Sequence, residues 1–239
     1  MSRLVSCLIR CHPTFETLPL FPQASIGLRR PVLLGHSAGG TIAAFVASAT
    51  DVAGLILLEA MIGDRAFTEN AAAQAAPLAT KLGRPVAGFD AYVAAWRARR
   101  EPFSDEAERL VDRWARFALA PLPNGAYRER ALRAAVEAEW ASIIAADSIG
   151  ALARVRCPVM IVQAVKPWLG GHPYFSRRIV EAQLNAVPGA ELFVAEHSDH
   201  GTIIRDPAPD MVAAILRFVG RYAGAGRAVP CLSSGRTRP

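Results

Sequence analysis

A serine at position 37 stands in a setting that suits nucleophilic chemistry. Residues 35–39 read Gly-His-Ser-Ala-Gly, a G-x-S-x-G pattern. A short apolar run, Pro31 to Leu34, precedes it and predicts a buried strand. Thr41 to Thr50, rich in alanine, follows and predicts a buried helix. A serine at the tip of a sharp strand-to-helix turn must adopt a strained backbone conformation. Residues two positions either side must be small, or their side chains meet the facing strand and helix. Gly35 and Gly39 supply that space, and Gly40 allows close helix packing. The turn also leaves the N–H of Ala38 at a helix N-terminus, where it can stabilise an oxyanion. A serine hydroxyl is a weak nucleophile at neutral pH. It needs a base within hydrogen-bond reach and an acid to orient that base.

Leu34-Gly35-His36-Ser37-Ala38-Gly39-Gly40 resembles the nucleophile elbow of the α/β-hydrolase superfamily. The resemblance implies an α/β fold: a mostly parallel sheet flanked by helices, with a helical cap insertion. It also implies the chain order serine, acid, histidine, with the base after the last strand. Two histidines compete there, His197 and His200. A turn followed by a loop and the proline-led helix at Pro207 favours His200. His36, inside the elbow, reads as a residue that shapes the site, and His172 as a loop residue.

The common place for the acid is the loop after the strand Val159 to Gln163. That loop, Ala164 to Tyr174, carries no carboxylate. A minority of the superfamily places the acid at the end of the strand after the elbow helix, and here that position is Glu59. A carboxylate there, behind Ile56-Leu57-Leu58, is partly buried and needs a partner, which a histidinium supplies. Asp64 is the runner-up, and Asp199 reads as a turn cap. No cofactor and no metal ligand set is expected.

These residues must be positioned by the elements around them. Val52 to Ala60 is apolar on both faces, as in a parallel strand between helix layers. Residues 63 to about 150 predict a helical cap. Phe89, Tyr92, Val93 and Trp96 recur at helical spacing, as do Leu110, Val111, Trp114, Phe117 and Ala118. Pro121 to Gly125 separates two of its helices. Further strands are predicted at Cys157 to Gln163 and Glu191 to Ala195. A helix ends near Val187, and Asp206-Pro207 opens a final one facing the sheet through Met211, Ile215, Phe218 and Tyr222.

The chain divides into an atypical segment (1–24), an α/β-hydrolase domain (25–222) and a Gly-, Arg- and Pro-rich tail (223–239) that reads as disordered. Only 36 residues precede Ser37. The resemblance implies earlier strands and a second oxyanion donor there, which residues 1–26 do not match, so an N-terminally truncated relative is expected.

The 239 residues are 52 % hydrophobic, enough for one substantial core. The net charge of +6 is carried by arginine, with Lys81 and Lys166 the only lysines. No basic run with interleaved aromatics accompanies it, so no nucleic-acid partner is expected. Cys7, Cys11, Cys157 and Cys231 are scattered, which fits a reducing, cytoplasmic setting. No apolar run reaches membrane-spanning length. The partner implied is a small-molecule substrate. Three functions follow: a serine esterase acting on a small apolar acyl compound, a C–C bond hydrolase or cofactor-free peroxidase or lyase on the same scaffold, or an inactive truncated protein.

Overall fold

The computed structural model describes residues 30–98, 103–168 and 171–223. The atypical segment 1–24, Cys7, Cys11, Cys231 and the tail from residue 224 lie outside the described residues, as does the side chain of Trp96.

A four-stranded parallel sheet carries the domain. Its strands are β1 (Val32–His36), β2 (Gly54–Leu58), β6 (Val159–Ala164) and β7 (Glu191–Ala195), in the order β1-β2-β6-β7. The central strand β2 is buried along its whole length, which explains its unbroken apolar sequence. Alternate residues serve opposite faces. Leu55 and Leu57 pack with Ala43, Ala44 and Ala47 of helix α1 (Ala38–Ala49) and Leu152 of α6 (Ser148–Ala153). Ile56 and Leu58 pack with Met211, Ala214 and Phe218 of α9 (Pro209–Tyr222) on the other face. Helix α7 (Arg177–Ala186) also lies against the sheet, and its wholly buried Gln183 holds the carbonyl of Ile62.

Between β2 and β6 the chain makes a long excursion. It holds helices α2 (Arg65–Ala79), α3 (Phe89–Arg97), α4 (Asp105–Ala118) and α5 (Arg133–Ala145). It is not wholly helical, contrary to the expectation. Strands β3 (Pro85–Val86), β4 (Leu119–Pro121) and β5 (Tyr127–Glu129) form a small antiparallel sheet in the order β3-β5-β4. Segments of two and three residues are too short to show a period of two. The Pro121–Gly125 stretch is a hairpin turn within that sheet, closed by Leu122 N–H donating to the Ala126 carbonyl at 2.7 Å. Gly125, at φ +81°, takes the left-handed position the turn requires.

Helix α4 buries Ala107, Val111 and Ala115 rather than its large residues. Leu110, Trp114 and Phe117 stay exposed, Phe117 by 70 %. Small residues at this spacing let α3 approach closely, and the core there is Val93, Val111 and Ala115.

The final helix also departs from expectation. A short helix α8 (Thr202–Arg205) follows His200, and α9 starts at Pro209 with Ala208 as its N-cap. Pro207 holds Asp206 away from the helical region, and the second proline takes the first helical position. Asp206 instead holds Ser104, the N-cap of α4. Its carboxylate accepts from the Ser104 N–H at 2.7 Å and the Ser104 hydroxyl at 2.6 Å, tying the excursion to the sheet domain.

Candidate active site

The elbow lies where β1 gives way to α1. Ser37 sits at φ +53° and ψ −127°, a strained conformation for a residue with a side chain. Backbone bonds to the end of β2 hold it there. The Ser37 N–H donates to the Leu58 carbonyl at 3.0 Å, and the Ser37 carbonyl accepts from Gly40 at 2.9 Å and Met61 at 3.0 Å. A Cβ on Gly35 would stand 2.4 Å from the Gly39 carbonyl oxygen, and one on Gly40 would stand 2.4 Å from the Ala60 Cβ. Both glycines are sterically required. Gly39 is not: among the described residues a Cβ there meets nothing within 4 Å. The space the turn needs is thus at Gly35 and Gly40. Ala38 opens α1, so its N–H falls in the first turn, where helices lack internal acceptors.

Glu59 follows β2 directly. Its own φ of +44° turns it out of the strand, and its side chain is wholly buried. One carboxylate oxygen accepts from the Ala164 N–H at the end of β6, at 2.8 Å. The other lies 3.3 Å from Nδ1 of His200. His200 Nε2 is in turn 3.1 Å from Ser37 Oγ. Three residues that follow three different strands thus meet in one line, over sequence separations of 163 and 141 residues.

The turn that carries His200 is pinned by Asp199. Its carboxylate accepts from the N–H groups of Gly201 at 2.6 Å and Thr202 at 2.7 Å. His36 Nε2–H donates to the His200 carbonyl at 2.8 Å. His197 is exposed, and among the described residues no hydrogen bond ties its side chain to this line. Asp64 is also elsewhere: it caps α2 through the Phe67 N–H and pairs with Arg178 of α7. His172 is exposed in its loop, where its carbonyl accepts from the Trp168 N–H.

Burial dominates the electrostatics. It pushes the Glu59 carboxyl up to about 8; the Ala164 N–H opposes this and the Asp199 charge adds to it. It pushes His200 down to about 3, with Asp199 opposing and Arg205 reinforcing. His36 is likewise pushed down to about 3 by burial, with the neighbouring His200 adding to the effect. At neutral pH both imidazoles are uncharged, and His200 can accept a proton at Nε2.

An aromatic wall that sequence reasoning missed encloses His200. The Tyr174 ring lies 3.8 Å from the imidazole between centroids, and Trp168 lies at 4.6 Å. Phe67 of α2 meets Tyr174 at 6.1 Å and Phe175 at 5.4 Å, edge to face. Burial raises the Tyr174 phenol above its ordinary range, and the neighbouring Ser37 hydroxyl offsets part of that. The only sequence signal was three aromatics in the carboxylate-free loop after β6. No period or spacing links them to a serine more than a hundred residues earlier.

The sequence matches the alpha/beta hydrolase family over residues 8–215. The chain belongs to that family. The match opens inside the segment whose sequence reads as atypical. No curated protein matches the sequence. Among solved structures, E-2-(acetamidomethylene)succinate hydrolase superposes with a TM-score of 0.66 at 20 % identity, covering 82 % of this chain and 69 % of its own. A putative hydrolase from Rickettsia typhi gives 0.61 at 15 % identity, covering 88 % and 70 %. An M. tuberculosis esterase gives 0.60 at 16 % identity, covering 87 % and 68 %. At these identities the likeness is one of fold. The parallel sheet with helices on both faces is the α/β-hydrolase architecture expected from the elbow. Among the described residues no helix is long and apolar enough to cross a membrane.

Proposed function

We propose that this chain is a serine hydrolase acting on an ester or related acyl bond of a small apolar substrate. The observation that carries this reading is the unbroken line from Glu59 through His200 to Ser37. With Glu59 ionised, its carboxylate accepts from Nδ1–H, which leaves the Nε2 lone pair free to take the Ser37 proton. Ser37 Oγ attacks the acyl carbon, and the Ala38 N–H stabilises the resulting oxyanion. His200 then returns the proton to the leaving oxygen. Water repeats the sequence and frees the acid.

An apolar substrate agrees with the hydrophobic side chains that pack with Ala38 of the elbow. Met61, Phe67, Trp140, Trp168, Tyr174 and Phe175 pack in one cluster that includes Ala38. The excursion over residues 63–150 serves as a cap, with Phe67 as its contact to the wall. A cytoplasmic setting fits the scattered cysteines. The M. tuberculosis neighbour carries the name esterase, which agrees with acyl chemistry on this fold.

The test is labelling by a fluorophosphonate, read by peptide mass spectrometry, together with turnover of short p-nitrophenyl esters. Ser37 should carry the label. Ser37→Ala should lose turnover by several orders of magnitude, because such residues act as a unit. Unchanged turnover in the pure variant would remove the reading.

A further inference from the structure

We propose that His36 is a positioning residue, which holds the His200 main chain in place so that the base meets the nucleophile at hydrogen-bond distance. The proposal rests on the reading of Ser37 as nucleophile and His200 as base.

The sheet order creates the need. The elbow stands at the end of β1, and His200 follows β7, three places along in the order β1-β2-β6-β7. At about 4.8 Å per strand, the chain after β7 must return roughly 14 Å to reach Ser37. The bonds that shape this stretch are local or lie near its start. Asp199 takes the N–H groups of Gly201 and Thr202. The Lys166 N–H, just past β6, donates to the Ser198 carbonyl at 3.0 Å. None of these bonds reaches the elbow. His36 is the last residue of β1 and directly precedes Ser37, and its Nε2 lies 2.8 Å from the His200 carbonyl oxygen.

The acceptor assigns the tautomer. A carbonyl oxygen carries no hydrogen, so His36 Nε2–H is the donor. Two consecutive elbow residues thus grip one residue from across the sheet. Ser37 Oγ meets its imidazole at 3.1 Å, and His36 holds its main chain. Glu59 at Nδ1 orients the imidazole, whereas the His36 bond fixes the backbone from which that ring swings. The residue type follows from charge. The two rings lie 4.7 Å apart. His200 becomes a cation during attack, and a lysine or arginine donor at position 36 would oppose it at close range. Burial keeps His36 neutral, and a charge on His200 reinforces that. An imidazole here donates an N–H without placing charge beside the base.

His36→Phe keeps a ring and removes the donor, and His36→Gln places an amide N–H near the position of Nε2. On p-nitrophenyl butyrate His36→Phe should lower kcat between about 10- and 100-fold with KM unchanged, the range for a lost hydrogen bond and a misplaced catalytic group. His36→Gln should recover most of that loss. The rate of fluorophosphonate labelling should fall with kcat, while its end point stays at one label per chain. A folding defect lowers the end point instead of the rate. His36→Leu makes the same comparison with a smaller side chain if His36→Phe does not fold. Wild-type kcat in His36→Phe overturns the proposal. So does a lowered end point with an unchanged rate per labelled chain, or a His36→Gln as slow as His36→Phe, which marks ring packing alone. Wild-type protein that neither labels at Ser37 nor depends on it overturns the nucleophile reading and this one together, and the label separates that failure from the others.

Discussion

A carboxylate with no water around it has a reason to hold its proton, and Glu59 is in that position. Glu59 and His200 lie 3.3 Å apart and titrate as a pair. The productive form has lost the carboxyl proton and keeps Nδ1–H: Glu59 charged, His200 neutral, Nε2 free. With Glu59 raised to about 8, kcat/KM should rise with pH and level off only above pH 8. A rise complete by pH 6.5 would place the controlling proton elsewhere. Glu59→Gln presents a neutral amide that cannot hold Nδ1–H as the carboxylate does. It should fold and lose roughly 10³- to 10⁴-fold in kcat, as loss of a triad acid does. His200→Ala should be as inactive as Ser37→Ala, whereas His197→Ala, on an exposed side chain, should turn over ester at the wild-type rate.

The elbow is a strained element held by its neighbours. Its glycines separate by what a methyl group would meet. Gly40→Ala drives a methyl into Ala60, and overpacking of this kind costs about 1–3 kcal/mol. Gly35→Ala meets backbone, which yields less, and should lie at the upper end of that range. Gly39 lies in the first turn of α1, and among the described residues a methyl there meets nothing. Gly39→Ala should stabilise by about 0.5–1 kcal/mol through helix propensity. Urea unfolding of the three variants checks the order, and a destabilised Gly39→Ala would contradict it. Legibility at this scale was uneven. The small-residue rule is visible in G-x-S-x-G, but the second glycine of the pattern is not the one under pressure. That role falls to Gly40, because the loop after β2 passes beneath it.

For the whole molecule, buried titratable groups set how stability varies with pH. His36 and His200 have folded values of about 3, against an ordinary 6.5. As pH falls below 6.5 the unfolded chain binds protons that the folded chain refuses, so stability declines from about pH 6.5 down to 3. Glu59 acts in the opposite sense. Raised from 4.5 to about 8, it keeps its proton longer in the folded chain, so stability declines as pH rises through that interval. Between 4.5 and 6.5 two histidines outweigh one carboxyl; above 6.5 only Glu59 of the three titrates. These groups place the melting-temperature maximum near pH 6.5, below the pH of greatest activity. Glu59→Gln should remove the alkaline decline and keep the acid one. A decline above pH 6.5 that survives in Glu59→Gln would assign it to other groups.

By itself the sequence determined the parts whose cause is local. Apolar runs of five or six residues become strands, apolar residues recurring every three or four positions become helices, and glycines around Ser37 make a turn only small residues can make. That was enough for the α/β class, the elbow, and the strands that Glu59 and His200 follow. Tertiary structure decided what depends on elements distant in sequence. Whether Glu59 faces His200 depends on its positive φ and on the Ala164 N–H, more than a hundred residues away. Asp206 was read as the cap of the helix beside it, and the fold instead places it against Ser104, 102 residues earlier. Strands of two and three residues exist only because their partners are present. The aromatic wall around His200 has no period to betray it, since its members come from α2 and a loop and share nothing but a place in space. Local propensity acts along the chain; burial, desolvation and the meeting of a donor with its acceptor act across it.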